Sequence, residues 1–177
     1  MNSDIKTVGV VGAGQMGIGI AHVCGVAGYD VCVTDISQDI LDEAKTQIEK
    51  NLARLRNRGR LEEAAMALAV NRISYSAEFA PLSACNLVIE AATENVPLKQ
   101  KIFAQLEALT GPETILASNT SSIPLKDIGA EMGDTRRLVG AHFWNPPHLV
   151  PLVEVSQLGP ENLPAVQKTI RILAAAA

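Results

Sequence analysis

The segment GAHFWNPPHLVPLVEV carries two side chains that together could move a proton. An apolar run leads into His142, a turn with Asn145 and two prolines follows, and a second apolar run brings Glu154. Two strands joined in this way can face each other. A histidine held by a carboxylate is fixed in one tautomer and made more basic, as proton abstraction from an alcohol requires. A structural His–Glu contact within a sheet explains the same spacing, so both interpretations stay open at this point.

A glycine-rich segment near the start of the sequence is typical of a dinucleotide-binding turn. VGVVGAGQMGIGIAHVCGVAGYDVCVTD places Gly12, Gly14 and Gly17 after one apolar run and Asp35 at the end of the next. Such glycines permit a tight turn and close approach to a pyrophosphate, and the following helix offers unpaired N–H groups. A carboxylate at Asp35 accepts hydrogen bonds from an adenosine ribose but repels a 2′-phosphate, which predicts NAD rather than NADP. A glycine-rich packing turn is the alternative.

Polar side chains follow two further apolar runs. NLVIEAATEN leads into Glu94 and Asn95, and Lys99 comes shortly afterwards. TILASNTSS leads into residues 118–122, which hold more small hydrogen-bonding groups than a single helix cap requires. Ligands of a doubly wound sheet bind beyond the carboxyl ends of its strands, so these groups are candidates for a binding site. The alternatives are an exposed helix cap for the first segment and a plain Ser/Thr turn for the second.

The elements that must position these groups alternate between strand and helix. Short β-branched runs predict strands at about 7–11, 30–35, 72–75, 86–91, 114–118, 138–143 and 152–155. Helical periodicity at about 38–56 and 61–69, broken by Asn-Arg-Gly at 57–59, predicts a helical hairpin inserted at about 38–70. The order predicts an α/β fold, with one Rossmann-type, doubly wound and mostly parallel sheet in a single domain over residues 1–177.

The tip of this hairpin is strongly basic. Arg54, Arg56, Arg58 and Arg60 follow one another at every second position. Guanidinium groups hold phosphate oxygens in bidentate pairs, so the cluster suits a ligand that carries phosphates. A solvated arginine face is the alternative.

Composition limits the remaining classes of function. The formal net charge of −4 argues against a general nucleic-acid surface, because phosphate neutralisation needs a basic excess. No apolar stretch is long enough to span a bilayer, and the first residues pass directly into a predicted strand, which leaves no room for a signal peptide. The three cysteines show no metal-ligand spacing, so we expect neither a disulfide framework nor a metal site, and a reducing cytoplasm fits best.

Taken together, these segments closely resemble the short-chain L-3-hydroxyacyl-CoA dehydrogenase family. VGAGQMGIGIA, Asp35, VIEAATEN, ASNTSS and HFWNPP…PLVEV occur in the family's order and cover nearly the whole chain. The resemblance implies hydride transfer between NAD and C3 of a 3-hydroxyacyl-CoA or 3-oxoacyl-CoA, as in fatty acid β-oxidation or butanoate metabolism. It also implies that the helical hairpin is the family's coenzyme A-binding extension.

The resemblance assigns catalytic and cofactor roles by position. His142 is expected to take the 3-hydroxyl proton, Glu154 to orient the imidazole, and Ser121 to contact both substrate and cofactor. The positions that match NAD contacts in the family are Gly12, Ala13, Gly14, Gln15, Met16, Gly17, Asp35, Glu94, Lys99, Ser121 and Asn145.

Substrate contacts follow in the same way. The family's coenzyme A-contacting serine and lysine correspond to Asn51 and Arg58, and we expect Arg54 to join them in holding the acyl-CoA. His148 falls where the family varies and is expected to be a surface or pocket-lining residue. His22 is expected to pack within a helix.

The sequence departs from the family in one respect. The family completes its active site with an asparagine on a following all-helical domain, which begins after a D-x-P-G-F-type segment and leads to dimer contacts, and no such segment occurs here. We therefore expect the C-terminal helical domain to be absent from this chain, turnover by the chain alone to be poor, and a homodimer to form when that domain is present.

Two alternative functions remain at this point. One is an NAD-dependent dehydrogenase of a small hydroxy acid, of the carnitine or L-gulonate type, which shares an NPP…PLVE segment; the arginine tip argues against it. The other is a non-catalytic, crystallin-like NAD-binding protein. Retention of His142 and Glu154 argues against the second.

Overall fold

Residues 6–176, which the computed structural model describes, alternate between strands and helices. The strands are β1 (Thr7–Val11), β2 (Asp30–Thr34), β3 (Ile73–Ser76), β4 (Leu87–Glu90), β5 (Ile115–Ser118), β6 (Leu138–Phe143) and β7 (Val153–Gln157). The helices are α1 (Gln15–Val26), α2 (Gln38–Asn57), α3 (Glu63–Asn71), α4 (Val96–Leu109), α5 (Leu125–Ile128) and α6 (Leu163–Leu173). The predicted strands and hairpin helices are confirmed, with small shifts of their ends; Asp35, for example, lies just beyond β2 rather than within it.

The strands form one sheet in the order β3-β2-β1-β4-β5-β6-β7. All neighbours are parallel except β6 and β7, which pair antiparallel. The chain builds outward from β1 through β2 to β3, and then returns to build outward from β4 on the other side. This reversal between β1 and β4 opens a crevice at the carboxyl ends of the strands, where ligands of doubly wound sheets bind. The predicted fold class is therefore confirmed.

Helices cover both faces of the sheet. Alternate strand residues point to opposite faces, so Val10 packs among side chains of α1, α2, α3 and α6, whereas Val11 packs with α4 and α5. Burial on both faces explains why the strand segments read as nearly continuous apolar runs. The helical hairpin joins the first of these layers through the buried side chains Leu41, Ile48 and Leu52 of α2. Gly59, with a φ of +67°, turns the chain after α2 towards α3.

The cysteines belong to these two layers. Cys24, Cys32 and Cys85 are buried and free. Burial raises the pKa of the Cys24 thiol to about 12, and burial together with the neighbouring Cys32 does the same for Cys85. Within residues 6–176, no helix combines the length and the apolar character needed to cross a membrane.

The contact between α1 and the glycine-rich turn yields a test of the fold. A Cβ atom added to Gly17 would lie 1.8 Å from the carbonyl oxygen of Gly12, whereas one added to Gly111 would meet nothing within 4 Å. Because the backbone must move to admit the extra methyl group, we expect Gly17→Ala to lower the free energy of unfolding by about 1–3 kcal/mol. Gly111→Ala should leave it unchanged or raise it by up to ~1 kcal/mol. Urea unfolding measures both values, and equal effects would contradict the packing described.

Candidate cofactor and active site

The turn between β1 and α1 leaves room for a phosphate-bearing ligand. Gly12 adopts a φ of +97° and its N–H donates to the carbonyl of Thr34, so the chain turns sharply at the end of β1. Gly14 caps α1 without a side-chain hydrogen bond, and the space around its Cα is open. The first N–H groups of α1 and the positive end of its dipole therefore face open space, as binding of a pyrophosphate requires.

Asp35 lies beside this turn. One carboxylate oxygen accepts a hydrogen bond from the backbone N–H of Ala13 at 2.8 Å, and the other accepts from the N–H of Ile36 at 2.8 Å. These bonds hold the carboxylate at the end of β2, next to the helix N-terminus that would take the pyrophosphate. The spacing and chemistry of the turn and the acid fit an NAD molecule whose ribose hydroxyls meet Asp35.

Glu90 and Lys99 form a buried ion pair beside the ends of β4 and β5. Sequence motifs identified Lys99 as a candidate site residue but not Glu90. The Nζ atom of Lys99 lies 2.6 Å from Oε1 of Glu90, and their side chains are 1% and 0% exposed. Glu90 also accepts hydrogen bonds from the hydroxyl of Ser118 at 2.8 Å and the N–H of Ala92 at 2.7 Å. An acid at the end of an apolar strand was the available signal for Glu90, because a buried carboxylate needs a partner.

Glu94 fixes the serine-rich turn after β5. Its carboxylate accepts hydrogen bonds from the hydroxyl of Thr120 at 2.9 Å and from the N–H of Ser121 at 3.3 Å. Its Oε2 lies 3.9 Å from the ammonium of Lys99, which links the turn to the buried pair. Several predicted cofactor residues line one cleft of about 320 Å³, namely Gly14, Gln15, Met16, Glu94 and Lys99, with Asn119 beside them.

His142 and Glu154 face each other across the antiparallel pair of strands. They are directly opposite in the β6–β7 register, and Nδ1 of His142 lies 2.7 Å from Oε2 of Glu154. Hydrogen bonds from His142 and then from Trp144 lower the pKa of the Glu154 carboxyl below its usual value, so the acid is held ionised. A carboxylate accepts from Nδ1–H, which leaves the lone pair of Nε2 in the neutral imidazole free to take a proton.

The third residue predicted to act in catalysis shares a cleft with this pair. Ser121, His142 and Glu154 line a cleft of about 550 Å³ between the serine-rich turn and the β6–β7 hairpin. The Oδ1 atom of Asn119 accepts a hydrogen bond from the N–H of Phe143 at 2.8 Å, which ties the turn after β5 to the end of β6. Asn145 is exposed in the loop that follows β6, and its contact with a nicotinamide stays a prediction.

The basic tip of the hairpin is divided rather than being one cluster. Arg56 of α2 forms an ion pair with Glu63 of α3 at 2.9 Å. Arg54 in the last turn of α2 and Arg58, which caps that helix, are both exposed, and the N–H of Arg58 donates to the carbonyl of Arg54 at 3.2 Å. Of the predicted substrate residues, Arg54 and the mostly buried Asn51 line a cleft of about 890 Å³, which is the largest described and extends to the glycine-rich turn.

His148, which lines this large cleft, packs beside a second histidine. His22 of α1 is 2% exposed, as expected of a packing residue, and its ring centroid lies 5.4 Å from that of His148. Burial and then the neighbouring His148 lower the pKa of His22 to about 4, and burial and then Arg54 lower the pKa of His148. Both imidazoles are therefore neutral near pH 7, and His148 lines the cleft as a neutral group.

A doubly wound sheet with a glycine-rich turn, an acid after β2 and a His–Glu pair across β6 and β7 defines the class of nicotinamide-dependent dehydrogenases. Residues 7–175 match the family described as 3-hydroxyacyl-CoA dehydrogenase, NAD binding domain, and the chain belongs to this family. The expectation drawn from the sequence motifs is confirmed, and NAD is its cofactor.

Similar proteins agree with this assignment. A probable 3-hydroxybutyryl-CoA dehydrogenase of Deinococcus radiodurans is 44% identical over 147 residues, which are 83% of this chain and 52% of that protein. A 3-hydroxybutyryl-CoA dehydrogenase of Bradyrhizobium diazoefficiens is 44% identical over 88% of this chain and 53% of its own length. The crystal structure of 3-hydroxybutyryl-CoA dehydrogenase from Escherichia coli K12 superposes with a TM-score of 0.92 at 36% identity, covering 98% of this chain and 37% of that chain. The chain thus spans about half the length of the curated relatives it matches.

The buried ion pair yields a stability prediction. Lys99→Met alone leaves the Glu90 charge in a dry site, and Glu90→Gln alone leaves the buried Lys99 ammonium with only the more distant and partly exposed Glu94 at 3.9 Å. We therefore expect each to lower the free energy of unfolding by about 3–5 kcal/mol. The double variant leaves no unpaired charge and should lose clearly less than the sum of the two single losses. Urea unfolding of the three variants forms a double-mutant cycle.

The exposed pair of Asp134 and Arg136 provides the control, since its side chains are 42% and 74% exposed. Asp134→Asn should change stability much less than Glu90→Gln, because water screens the separated charges. Additive losses at Glu90 and Lys99 would show that the two charges do not depend on each other.

Proposed function

We propose that this chain supplies the cofactor site and the proton-transfer pair of a dehydrogenase that interconverts 3-hydroxyacyl-CoA and 3-oxoacyl-CoA. The observation that carries the proposal is the 2.7 Å contact between Nδ1 of His142 and Glu154, in a cleft shared with Ser121. A non-catalytic NAD-binding protein has no need of an ionised carboxylate that orients a partly exposed imidazole. The motifs of the family and the named activities of its relatives support the same reaction.

The chain's residues divide the reaction between binding and proton transfer. Bound NAD supplies the acceptor for the hydride that leaves C3 of the hydroxyacyl group. His142 takes the hydroxyl proton at Nε2, the electron pair of the O–H bond forms the carbonyl, and the C3–H pair leaves as hydride. Glu154 stabilises the imidazolium that results, because its negative charge lies against Nδ1–H. In the reverse direction the same imidazolium returns the proton to the carbonyl oxygen.

Cofactor binding is proposed to use the residues around the glycine-rich turn. The turn and the N-terminus of α1 hold the pyrophosphate, and Asp35 accepts the ribose hydroxyls. Glu94 acts chiefly by holding the turn that presents Ser121, because its carboxylate accepts a hydrogen bond from the backbone N–H of Ser121 at 3.3 Å. Lys99 is 1% exposed. We therefore propose that its positive charge acts on the cofactor electrostatically from beneath the surface of the cleft, and not through an exposed ammonium group.

The large cleft between α2 and the glycine-rich turn is proposed to take the coenzyme A portion of the substrate. Arg54 lines it, Arg58 caps α2 four residues later, and both are exposed, so both guanidinium groups can approach phosphates from solvent. Asn51 also lines the cleft, and its side-chain oxygen Oδ1 accepts a hydrogen bond from the side-chain amide of Gln47 at 2.9 Å. A small hydroxy acid would make no use of this arrangement.

Other parts of the proposal extend beyond the described residues. We propose that full turnover requires a second half of the kind that the relatives possess, because the clefts lined by Arg54 and by Ser121 are open to solvent and substrate geometry would be poorly held. A homodimer formed through that half and a reducing cytoplasm belong to the same proposal. The three free, buried thiols support the latter.

The proposed reaction predicts a specific loss of proton transfer. In a fusion of this chain with the C-terminal half of the Deinococcus relative, His142→Gln should lower turnover of acetoacetyl-CoA with NADH by roughly 10²–10⁴-fold. Its dissociation constant for NADH should stay within about twofold, because the imidazole is not part of the dinucleotide turn. Steady-state absorbance at the NADH band and calorimetry measure the two quantities. The chain without the fused half should bind NADH but turn over far more slowly, and full activity from it would contradict the proposed need for a second half.

The proposed substrate class is tested at the hairpin. Arg54→Ala with Arg58→Ala should weaken acetoacetyl-CoA binding by roughly tenfold or more, equivalent to about 1.4 kcal/mol, while sparing NADH. Arg56→Ala, compared with Arg54→Ala alone, is a charge-matched control, because Arg56 pairs with Glu63 and should not reach the ligand. Calorimetry separates the two ligands. Equal losses in the control, or no loss in the double variant, would favour the small hydroxy acid as substrate.

A further inference from the structure

The single tryptophan of the sequence lies beside the proton-transfer pair. The indole Nε1–H of Trp144 donates to Oε2 of Glu154 at 3.2 Å, and this is the same oxygen that Nδ1 of His142 contacts at 2.7 Å. The imidazole and indole ring centroids lie 6.4 Å apart, with the rings tilted by 45°. One carboxylate oxygen thus joins two ring N–H groups, and the reaction described above uses only one of them.

The register of the hairpin explains this arrangement. His142 is paired directly with Glu154, and Trp144 is two residues further along the same chain. Alternate residues of a strand point to one face, so His142 and Trp144 share the face of Glu154, whereas Phe143 points to the opposite face and is 3% exposed. Trp144 is therefore the diagonal neighbour of Glu154, a separation that long aromatic side chains can cross. Its backbone N–H donates to the carbonyl of Leu152 at 3.1 Å, which continues the ladder and fixes its position.

We propose that Trp144 is a positioning residue for the proton transfer, and that its indole N–H holds the Glu154 carboxylate in the rotamer that faces His142. This inference rests on the proposed function. The Glu154 side chain is 58% exposed, so a single hydrogen bond would leave it free to rotate into water. A second donor, on the residue that directly follows β6, restricts that rotation. The donor is neutral, so it orients the carboxylate without competing with the imidazolium for the charge.

The electrostatic surroundings make the contact measurable. Hydrogen bonds from His142 and then from Trp144 lower the pKa of Glu154. Besides His142 and Glu154, the charged side chain that lines this cleft is Lys126 of α5. Replacement of the indole leaves Lys126 unchanged, so its effect on Glu154 is the same in both proteins. Because the pKa of Glu154 is depressed in the folded chain, the carboxylate stays ionised until the pH falls through that lowered value. Loss of one donor should therefore raise the pKa of Glu154 towards its ordinary value.

The first experiment is a carbon NMR titration of the Glu154 carboxyl group in this chain. Trp144→Phe keeps an aromatic ring but removes the N–H donor, and we expect the titration midpoint of Glu154 to rise by about 0.5 pH unit, as loss of one neutral hydrogen bond implies. Leu149→Ala is the control, because Leu149 is an exposed apolar side chain on the same loop, 56% exposed, and should leave the midpoint unchanged. An unchanged midpoint in Trp144→Phe, or the same rise in both variants, would overturn the proposal.

A second measurement needs no change at residue 144. The indole N–H signal of Trp144 is unambiguous in this sequence, and it should shift with pH at the midpoint of Glu154. Glu154→Gln should abolish that step, and a step that persists in Glu154→Gln would count against the contact. Neither measurement depends on substrate or turnover. A protein that failed to act on acyl-CoA could still show both signals, whereas loss of both signals with normal acyl-CoA binding would reject the role of Trp144 alone.

Discussion

The ion pair between Glu90 and Lys99 is the interaction on which the rest of the site depends. Both side chains are almost completely removed from water, so neither charge is tolerable without the other. Glu90 ends β4 and also accepts from Ser118 at the end of β5, while Lys99 belongs to α4. Three elements therefore meet at one pair of charges, beside the crevice that the reversal of strand order opens.

The antiparallel pairing of β6 and β7 has a comparable role on the other side of the crevice. A parallel connection between adjacent strands needs a crossover of a dozen or more residues, usually a helix, which would separate a histidine from its carboxylate partner. The loop of residues 144–152 between the antiparallel strands contains no helix and returns the chain beside β6, so that His142 and Glu154 lie directly opposite each other. The link from Phe143 to Asn119 then joins this hairpin to the turn that Glu94 holds, so that cofactor and proton-transfer residues form one connected framework.

The sequence predicted the features that depend on local order. The strands, the glycine-rich turn and the hairpin follow from periodicity and from residues such as Gly12 and Gly59 that have local conformational meaning. The opposition of His142 and Glu154 followed from two strands joined by a short turn. Which charged side chains pair with each other could not be predicted in the same way. Glu90 and Lys99 meet only because the loop between β4 and α4 folds back.

The arginines of the hairpin and the tryptophan illustrate the same limit. Which guanidinium meets Glu63 depends on the rotation of α2 against α3, and the four arginines looked alike in the sequence. The contact of Trp144 with Glu154 depends on strand register, which is set by the whole sheet rather than by neighbouring residues.

The buried thiols have a consequence for the chemical durability of the protein. The thiolate is the species that oxidants and alkylating agents attack, and at neutral pH a thiol with a pKa of about 12 is almost entirely protonated. Cys24 and Cys85 are thus shielded twice, by their lack of access and by their lack of charge. When the sheet opens, the thiols become accessible and their pKa values return towards the ordinary value at the same time. The rate at which a thiol reagent modifies these cysteines therefore reports how often the folded structure opens transiently.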